Sequence, residues 1–399
     1  MHLFHSLGHV FGGTLLIAST TIGVATLALP IATGGGGFIP AIIVYFITWT
    51  FMICTGFLIL EACAWIPPGS NYITMTYRLL GLPGKALCWV AYLFLFVTVL
   101  TAHVVGGGAV LNDITHHVIP LKASMLIYVL IFSPVIYFGT RSVDRMNIVL
   151  ISGLILSYLL FLFFSYDHVR VSLLQRQMWG AIWGAFPVLF TAFTYQVIIP
   201  TLYNYMNRDV RKVRHAIWYG MSIPLIVYIV WELLILGIVP AEGPQGLIEG
   251  AKQGWTAIEP LSKHVANQAI LRIGESFAFF TLTASYIPIS LAYIDFLSDG
   301  LKMRKKGFSH LLLWLLVFIP PTFIGMTNPD IFLVALNFAG GFSIAILFGI
   351  FPPLMVWSGR YIKKLKQTQP LLRGGRLLLL ALLLFAFLEL ALTMWKEIS

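Results

Sequence analysis

Residues 21–30 read TIGVATLALP, and four consecutive glycines follow at residues 34–37. This stretch lies in the first long apolar run of the chain, where a continuous membrane-spanning helix would be expected, yet it contains Gly23 and Pro30. Glycine weakens a helix interior, and proline removes a backbone hydrogen bond. The stretch therefore predicts an interruption inside the first span.

The composition indicates a polytopic integral membrane protein. Of the 399 residues, 59% are hydrophobic and 10% are charged, whereas about 25% of the residues of an ordinary globular chain are charged. Apolar runs of about 20 residues, long enough to cross a bilayer, recur along the chain. We therefore expect a lipid bilayer and no nucleic acid as a partner, in spite of the net charge of +10.

Loops rich in charge, proline, asparagine and glycine divide the chain into eleven predicted transmembrane helices, an all-α fold. Their expected positions are residues 7–33, 38–64, 84–111, 121–139, 147–165, 179–203, 216–239, 273–297, 310–328, 331–357 and 377–395.

The distribution of basic residues predicts the orientation. The loops on one side of this arrangement, here called the basic side, contain 18 of the 25 Lys and Arg residues. Because basic residues are enriched in cytoplasmic loops, we expect the N-terminus in the cytoplasm and the C-terminus, after an odd number of spans, on the opposite side. The longest loop on that opposite side, residues 241–272, is either a lid or an ordinary long loop.

Two predicted spans are interrupted at matching places, the first near Gly23 and the sixth before Pro200. Each is the first span of a five-span block, residues 1–165 and 166–357, and the second block must be inverted because five is odd. Residues 358–399 add a basic loop and the eleventh helix. Interrupted helices at corresponding positions of inverted repeats mark the midplane binding site of a secondary transporter.

The two interruptions supply the candidate substrate-binding residues. Free amides at the start of a half-helix suit a carboxylate, and aromatic and amide side chains can enclose a substrate side chain. The alternatives are tight helix packing at the glycine and an interior polar pair satisfied by neighbouring helices. The candidates are Thr20, Thr21, Ile22, Gly23, Val24 and Ala25 in the first span and Phe193, Thr194, Tyr195 and Gln196 in the sixth.

Four stretches over nearly the whole chain resemble the hydroxy/aromatic amino acid permease family, and most nearly its tyrosine and tryptophan permeases. They are TIGVATLALP (21–30), LEACAWIPPGSNY (60–72), PVLFTAFTYQVIIPTLYNY (187–205) and IDFLSDGLK (294–302). The family belongs to the amino acid-polyamine-organocation superfamily. The chain departs from it at residues 194–197, where the family usually has Gly-Phe-His-Gly, and at residues 23–25, where it usually has Gly-Ala-Gly.

The resemblance implies the inverted-repeat fold of the leucine transporter and proton-coupled uptake of tyrosine or tryptophan across a bacterial inner membrane, with no cofactor and a C-terminus in the periplasm. The runner-up hypotheses are a permease for a small neutral or hydroxy amino acid and a sodium symporter. A channel and a membrane-embedded enzyme are disfavoured, because the sequence has neither a repeated filter nor an HExxH or GxSxG motif. The oligomeric state is left open.

Ionisable residues inside spans are candidates for proton coupling or gating. For each of them a structural role, such as an ion pair with a loop cation or a bond to a neighbouring helix, is the alternative. The candidates are Glu61, Glu232, Asp295 and His103, whereas Glu389, outside both repeats, suggests a packing or oligomer contact.

Sodium would be held between the first and eighth spans by hydroxyl and carbonyl oxygens. Thr283 and Ser285 are the candidate ligands, with Thr281 nearby, but a two-residue spacing does not place them on one helical face. No metal site is expected, because Asp113, His116 and His117 form a solvated loop without an evident fourth ligand.

Overall fold

The computed structural model is all-helical, as the sequence predicts. It describes residues 2–68, 70–137, 140–265, 267–365 and 370–398, with backbone alone for residues 2–9, 140–145, 147 and 395–398. The helices are α1 His2–Thr21, α2 Ala25–Thr33, α3 Phe38–Ala64, α4 Tyr72–Ile114, α5 Leu121–Tyr137, α6 Thr140–Ser165, α7 Val171–Leu174, α8 Phe186–Ala192, α9 Ile199–Tyr205, α10 Val210–Ile238, α11 Leu247–Gln253, α12 Ile258–His264, α13 Gln268–Leu301, α14 Gly307–Thr327, α15 Phe332–Ile362 and α16 Gly375–Ile398.

Within these described ranges, nine helical segments are long and apolar enough to cross a membrane, and the bent pair of α1 and α2 would make a tenth. Helix α5 is apolar but has only 17 residues. The predicted fourth span extended to residue 139, and residues 138–139 lie outside the described residues. The count of eleven therefore stays a prediction.

The helix of the third span begins before the predicted start of that span. It starts at Tyr72 rather than near residue 84, because the Asn71 side chain accepts a hydrogen bond from the Thr74 amide and caps the helix. The helix then kinks at Gly81, whose φ of 80° is a conformation that glycine adopts readily. A short helical arm therefore precedes the span itself.

Contacts between loops show which connections lie at the same end of the helix bundle. Two such ends are expected, because successive spans run in opposite directions. At one end, Arg208 donates to the Ile66 carbonyl, Ser358 to the Leu79 carbonyl, and Lys305 pairs with Asp295. These residues lie in or beside the basic loops. At the other end, Met178 donates from its amide to the Gly36 carbonyl, and the Ala257 amide donates to the Leu27 carbonyl.

Residues 241–272 fold as part of this second end. They contain α11 and α12, whose residues Leu247, Ile258 and Leu261 are buried. Leu247 lies so close to Gly34 that a Cβ there would be 2.6 Å from its Cδ1. The segment is thus packed against the end of α2, in the same region as the bond from Ala257.

The degree of burial distinguishes central from peripheral spans. Of the 18 most apolar consecutive residues of α15, 83% are buried. The buried share of the corresponding residues is 67% both for α4 and for the segment containing α8 and α9. It falls to 28% for α14 and α16. The interrupted sixth span is therefore in the centre of the bundle, and α16 is on its periphery.

Candidate functional site

The first span is broken where TIGVATLALP predicts it. Helix α1 ends at Thr21, α2 begins at Ala25, and the two axes differ by 57°. In the part of the chain that the structure describes, the amides of Gly23, Val24 and Ala25 have no hydrogen-bond acceptor, and no side chain caps α2. Three unpaired donors therefore lie at the positive end of a buried half-helix.

The sixth span is also broken. Helix α8 ends at Ala192 and α9 begins at Ile199, with one 3-10 turn, Gln196–Ile198, before α9. The Gln196 Oε1 atom accepts from the Tyr195 amide at 2.9 Å, so this side chain satisfies backbone that the break releases.

The Tyr228 hydroxyl joins the two breaks. Its Oη lies 2.7 Å from the Thr21 carbonyl oxygen and 3.0 Å from the Ala192 carbonyl oxygen. These carbonyls are at the C-terminal ends of α1 and α8, which have no intrahelical donor. The two carbonyls share the single hydrogen of this hydroxyl, so one buried side chain of α10 bridges the ends of half-helices in both broken spans.

An aromatic and acidic cluster lies beside this junction. The Phe193 ring packs edge-to-face against Tyr228 at 5.3 Å and against Tyr45 at 6.0 Å between centroids. The Tyr45 hydroxyl donates to Glu232 Oε2 at 2.7 Å, and Thr33 donates to Oε1. Glu232 thus joins α10 to α2 and α3, and both of its oxygens accept a hydrogen bond.

The other face of the first break contacts α13. A Cβ on Gly23 would lie 3.2 Å from the Ser285 Cβ and 3.3 Å from its Oγ, closer than ordinary van der Waals contact, so glycine permits this approach. The Ser285 Oγ lies 2.9 Å from His103 Nε2 and 2.8 Å from the Thr281 carbonyl. Of the two predicted ion-site residues, Ser285 is at the break, whereas Thr283 contacts Tyr128.

The protonation state of His103 decides the direction of this chain of hydrogen bonds. His103 Nδ1 lies 2.7 Å from the Val99 carbonyl and therefore carries a hydrogen. In neutral histidine, Nε2 accepts the Ser285 hydrogen, and the Thr281 carbonyl loses it. In the imidazolium, Nε2 donates to Ser285, which then donates to Thr281. A proton on His103 thus reverses the polarity of the hydroxyl that contacts Gly23.

Several predicted site side chains are turned away from the first break. Thr20, Thr21 and Thr194 each donate back to their own helix, to the carbonyls of Leu16, Ile17 and Phe190. Ile22 is partly buried and packs against the core. The backbone of residues 20–25 is therefore the part of this stretch that faces the break.

Tyr195 and Gln196 face α3, which differs from the expected pocket between the two breaks. The Tyr195 Oη lies 3.3 Å from the Met52 carbonyl and occupies space that only the absence of a side chain at Gly56 leaves open. Gln196 Nε2 lies 3.2 Å from Thr55 Oγ1. Because residues 193–195 are not helical, helical spacing gives no guide to where these side chains point. Of Phe193, Tyr195 and Gln196, Phe193 is the one that packs in the cluster with Tyr45 and Tyr228.

Glu61 and Asp295 are at the basic end, away from the breaks. Glu61 forms a buried ion pair with Arg360, at 2.6 Å between Oε2 and Nη2, and also accepts from the Leu371 amide at 3.2 Å. Asp295 is half-exposed and pairs with Lys305 at 2.5 Å. Each carboxylate is thus paired with a cation at the basic end, Arg360 at the end of α15 or Lys305 in a loop, and such an ion pair was the alternative to a coupling role.

The remaining polar candidates do not converge on a metal site. His116 contacts Arg272, and His117 contacts Asn112. Among the described residues, no group of three His, Cys, Asp or Glu side chains could hold a metal ion. Glu389 is buried in α16, where Thr393 donates to its Oε1 at 3.1 Å.

A sequence model of the tryptophan/tyrosine permease family matches residues 7–393. The chain belongs to this family. The resemblance noted in the sequence is confirmed, and the protein is a permease rather than an enzyme.

Two relatives illustrate how far the similarity extends. This permease is 28% identical over 388 residues to the tryptophan-specific transport protein of Pseudomonas aeruginosa (strain UCBPP-PA14), covering 94% of this chain and 92% of that protein. It is 27% identical to tyrosine-specific transport system 1 of Haemophilus influenzae (strain ATCC 51907 / DSM 11121 / KW20 / Rd), covering 88% of each.

A solved structure shows the same fold. The crystal structure of MhsT in complex with L-phenylalanine matches the permease with a TM-score of 0.67, over 96% of this chain and 97% of that chain. The identity is 14%, so this likeness concerns the fold alone. It places the permease in the leucine-transporter fold, as expected.

Tyr45 and Tyr228 are the site residues that the sequence analysis missed. Tyr228 lies four residues before Glu232, so both are on one face of α10, and this spacing was the available signal. Tyr45 had no comparable signal, because a tyrosine in an apolar span is ordinary.

Replacing Tyr228 by phenylalanine tests the junction. The change removes the hydrogen that two buried carbonyls share, and an unpaired buried polar group costs about 1–3 kcal/mol. We expect Tyr228→Phe to lower the melting temperature of the purified permease by more than Tyr158→Phe does, since the Tyr158 hydroxyl serves one carbonyl, that of Val227. A loss no larger than in the Tyr158→Phe control would contradict the proposed junction.

Proposed function

We propose that this permease imports tryptophan or tyrosine across the bacterial inner membrane by proton symport and alternating access. The observation that carries the proposal is the set of unpaired amides at residues 23–25 beside the Phe193 cluster. The names of the relatives, tryptophan-specific and tyrosine-specific transport proteins, support the substrate class.

The two breaks match the two charges of an amino acid. The N-terminal end of α2 carries partial positive charge and free donors, which suit the carboxylate. The C-terminal ends of α1 and α8 meet at Tyr228 and carry partial negative charge, which suits the ammonium group. The substrate therefore binds along the break, with its carboxylate at Gly23, Val24 and Ala25.

The aromatic rings beside the break favour an aromatic substrate over a small one. Phe193, Tyr45 and Tyr228 are fully buried and already packed edge-to-face. Another ring can join such a cluster in the same geometry, and each aromatic pair contributes about 0.5–1.5 kcal/mol beyond area burial. A serine-sized side chain would gain none of this, so the small neutral amino acid is the second candidate.

Proton coupling is assigned to His103, acting through Ser285. A proton on the imidazole adds a positive charge next to the break and reverses the hydroxyl that contacts Gly23. Glu232 is the second candidate for this role, with Thr33 and Tyr45 as its partners. Access then alternates as α1, α2, α8 and α9 move relative to the remaining helices, while the Glu61–Arg360 ion pair closes the basic end.

One observation favours sodium as the competing coupling ion. The Thr281 hydroxyl lies one turn from Ser285, is buried, and has no hydrogen-bond partner among the described residues. Hydroxyl oxygens are hard ligands of the kind that Na⁺ uses at this position in the fold. The neutral imidazole of His103 beside Ser285 is a poorer ligand for such an ion, which favours the proton.

We extend the proposal to the architecture. The eleven spans form two inverted five-helix repeats, residues 1–165 and 166–357, and residues 358–399 add the extra helix. The matching breaks at the first span of each block support this division. The basic end faces the cytoplasm with the N-terminus, and the C-terminus is periplasmic.

Uptake into liposomes tests the function. In proteoliposomes of the purified permease, an inward proton gradient should drive accumulation of labelled tryptophan or tyrosine but not serine, and a sodium gradient at equal pH should not. Gly23→Leu should reduce uptake to the background of empty liposomes with normal insertion, because its side chain would overlap Ser285. Accumulation driven by sodium alone, or unchanged uptake by Gly23→Leu, would contradict the proposal.

His103→Gln separates coupling from binding. Glutamine can still hydrogen-bond with Ser285 but does not titrate, so we expect gradient-driven accumulation below about a tenth of wild type, with exchange of labelled for unlabelled substrate retained. Glu232→Gln is the matched comparison. If Glu232→Gln abolishes accumulation and His103→Gln does not, His103 is not the proton site.

A further inference from the structure

A half-open cavity of about 200 Å³ lies between α8 and the peripheral helix α16. It does not adjoin either break, and none of the residues assigned to the transport site lines it. Its walls are mostly apolar and are formed by Trp183, Gly184, Phe186, Pro187, Glu389, Leu392 and Thr393.

One carboxylate oxygen in this cavity lacks a partner. Glu389 is 3% exposed, and its Oε1 is bonded to Thr393. Its Oε2 has no hydrogen-bond partner among the described residues, where no cation forms an ion pair with Glu389 either. A buried carboxylate oxygen without a donor is costly.

Protonation and water each satisfy this oxygen only in part. A proton on Oε2 would create a hydroxyl donor that has no acceptor among the described cavity residues. A water molecule needs two to four polar partners, and Glu389 and Thr393, the two lining residues with side-chain oxygens, supply only the minimum. The cavity therefore suits a ligand that brings its own donors and also fills apolar space.

The side chains that line the cavity indicate the chemistry of the remainder of the ligand. Trp183 and Phe186 stack at 5.9 Å between centroids with 21° between planes, and Trp183 is 53% exposed overall. An indole face attracts cations in addition to apolar groups. The back of the cavity is rigid, because Gly340 and Gly341 of α15 allow the Pro187 backbone and Thr393 to approach closely.

We infer that this cavity is a binding site for a primary ammonium group carried on an apolar body, with Glu389 as its counter-ion. The ammonium donates to Oε2, and the apolar part lies against Trp183, Phe186 and Leu392. Two sources have this chemistry, an ethanolamine phospholipid of the surrounding membrane and a free apolar amine. The inference does not depend on which amino acid the permease transports.

Binding of 1-adamantylamine to the purified full-length permease tests the site. This compact amine should bind wild type measurably by isothermal titration, whereas 1-adamantanol, of the same shape but uncharged, should bind at least about tenfold more weakly. Glu389→Gln should weaken amine binding at least about tenfold. Glu249→Gln, which changes a partly exposed glutamate of α11 far along the chain from the cavity residues, is the matched control and should bind as wild type does.

A second variant covers the case in which Glu389→Gln does not fold. Leu392→Trp fills the cavity from the opposite wall and should also abolish amine binding. The inference is overturned if wild type does not bind the amine, or if every variant binds it equally.

Native mass spectrometry distinguishes the two sources. Permease reconstituted with a mixture of ethanolamine and choline phospholipids is released from the membrane, and its retained lipids are compared with those of Glu389→Gln. Preferential retention of the ethanolamine lipid by wild type alone supports the site and assigns it to the lipid. Equal retention together with Glu389-dependent amine binding supports the site and assigns it to a free amine.

Discussion

The structure depends on one constraint, that backbone polar groups in a membrane need partners. Two of its spans are broken, and each break releases groups that lipid cannot satisfy. The Tyr228 hydroxyl lies between the carbonyls of Thr21 and Ala192 and serves the C-terminal ends of both broken segments. Among the residues that the structure describes, the amides of residues 23–25 have no acceptor. These unpaired donors at the start of α2 favour a ligand that carries a carboxylate.

The side chains around the Tyr228 junction connect the unpaired amides of residues 23–25 to the rest of the helix bundle. On one side, Phe193 packs against Tyr45 and Tyr228, and Tyr45 in turn donates to Glu232. On the other side, Ser285 contacts Gly23 and joins it to His103. Binding of substrate and protonation of His103 would thus both act on the same short stretch of backbone at the first break. This proximity is the physical basis of the proposed coupling between substrate and ion movement.

The sequence predicts the interruptions well because glycine and proline act locally. Gly23 and the polar residues before Pro200 are where the helices break, and the spacing of Thr283 and Ser285 correctly implies that they face different neighbours. Side-chain directions past a break are not local. Tyr195 and Gln196 face α3 because the backbone there follows no period, and the role of Tyr228 depends on α10 passing both broken spans. The helical arm at Tyr72 had a local signal in the Asn71 cap.

The most direct measurement of the central claim is an experimental structure of the permease with bound tryptophan or tyrosine. The substrate carboxylate should lie within hydrogen-bond distance of the amides of Gly23, Val24 and Ala25, and the aromatic ring should contact Phe193. A substrate bound elsewhere, with these three amides still unpaired or bonded to protein, would contradict the account.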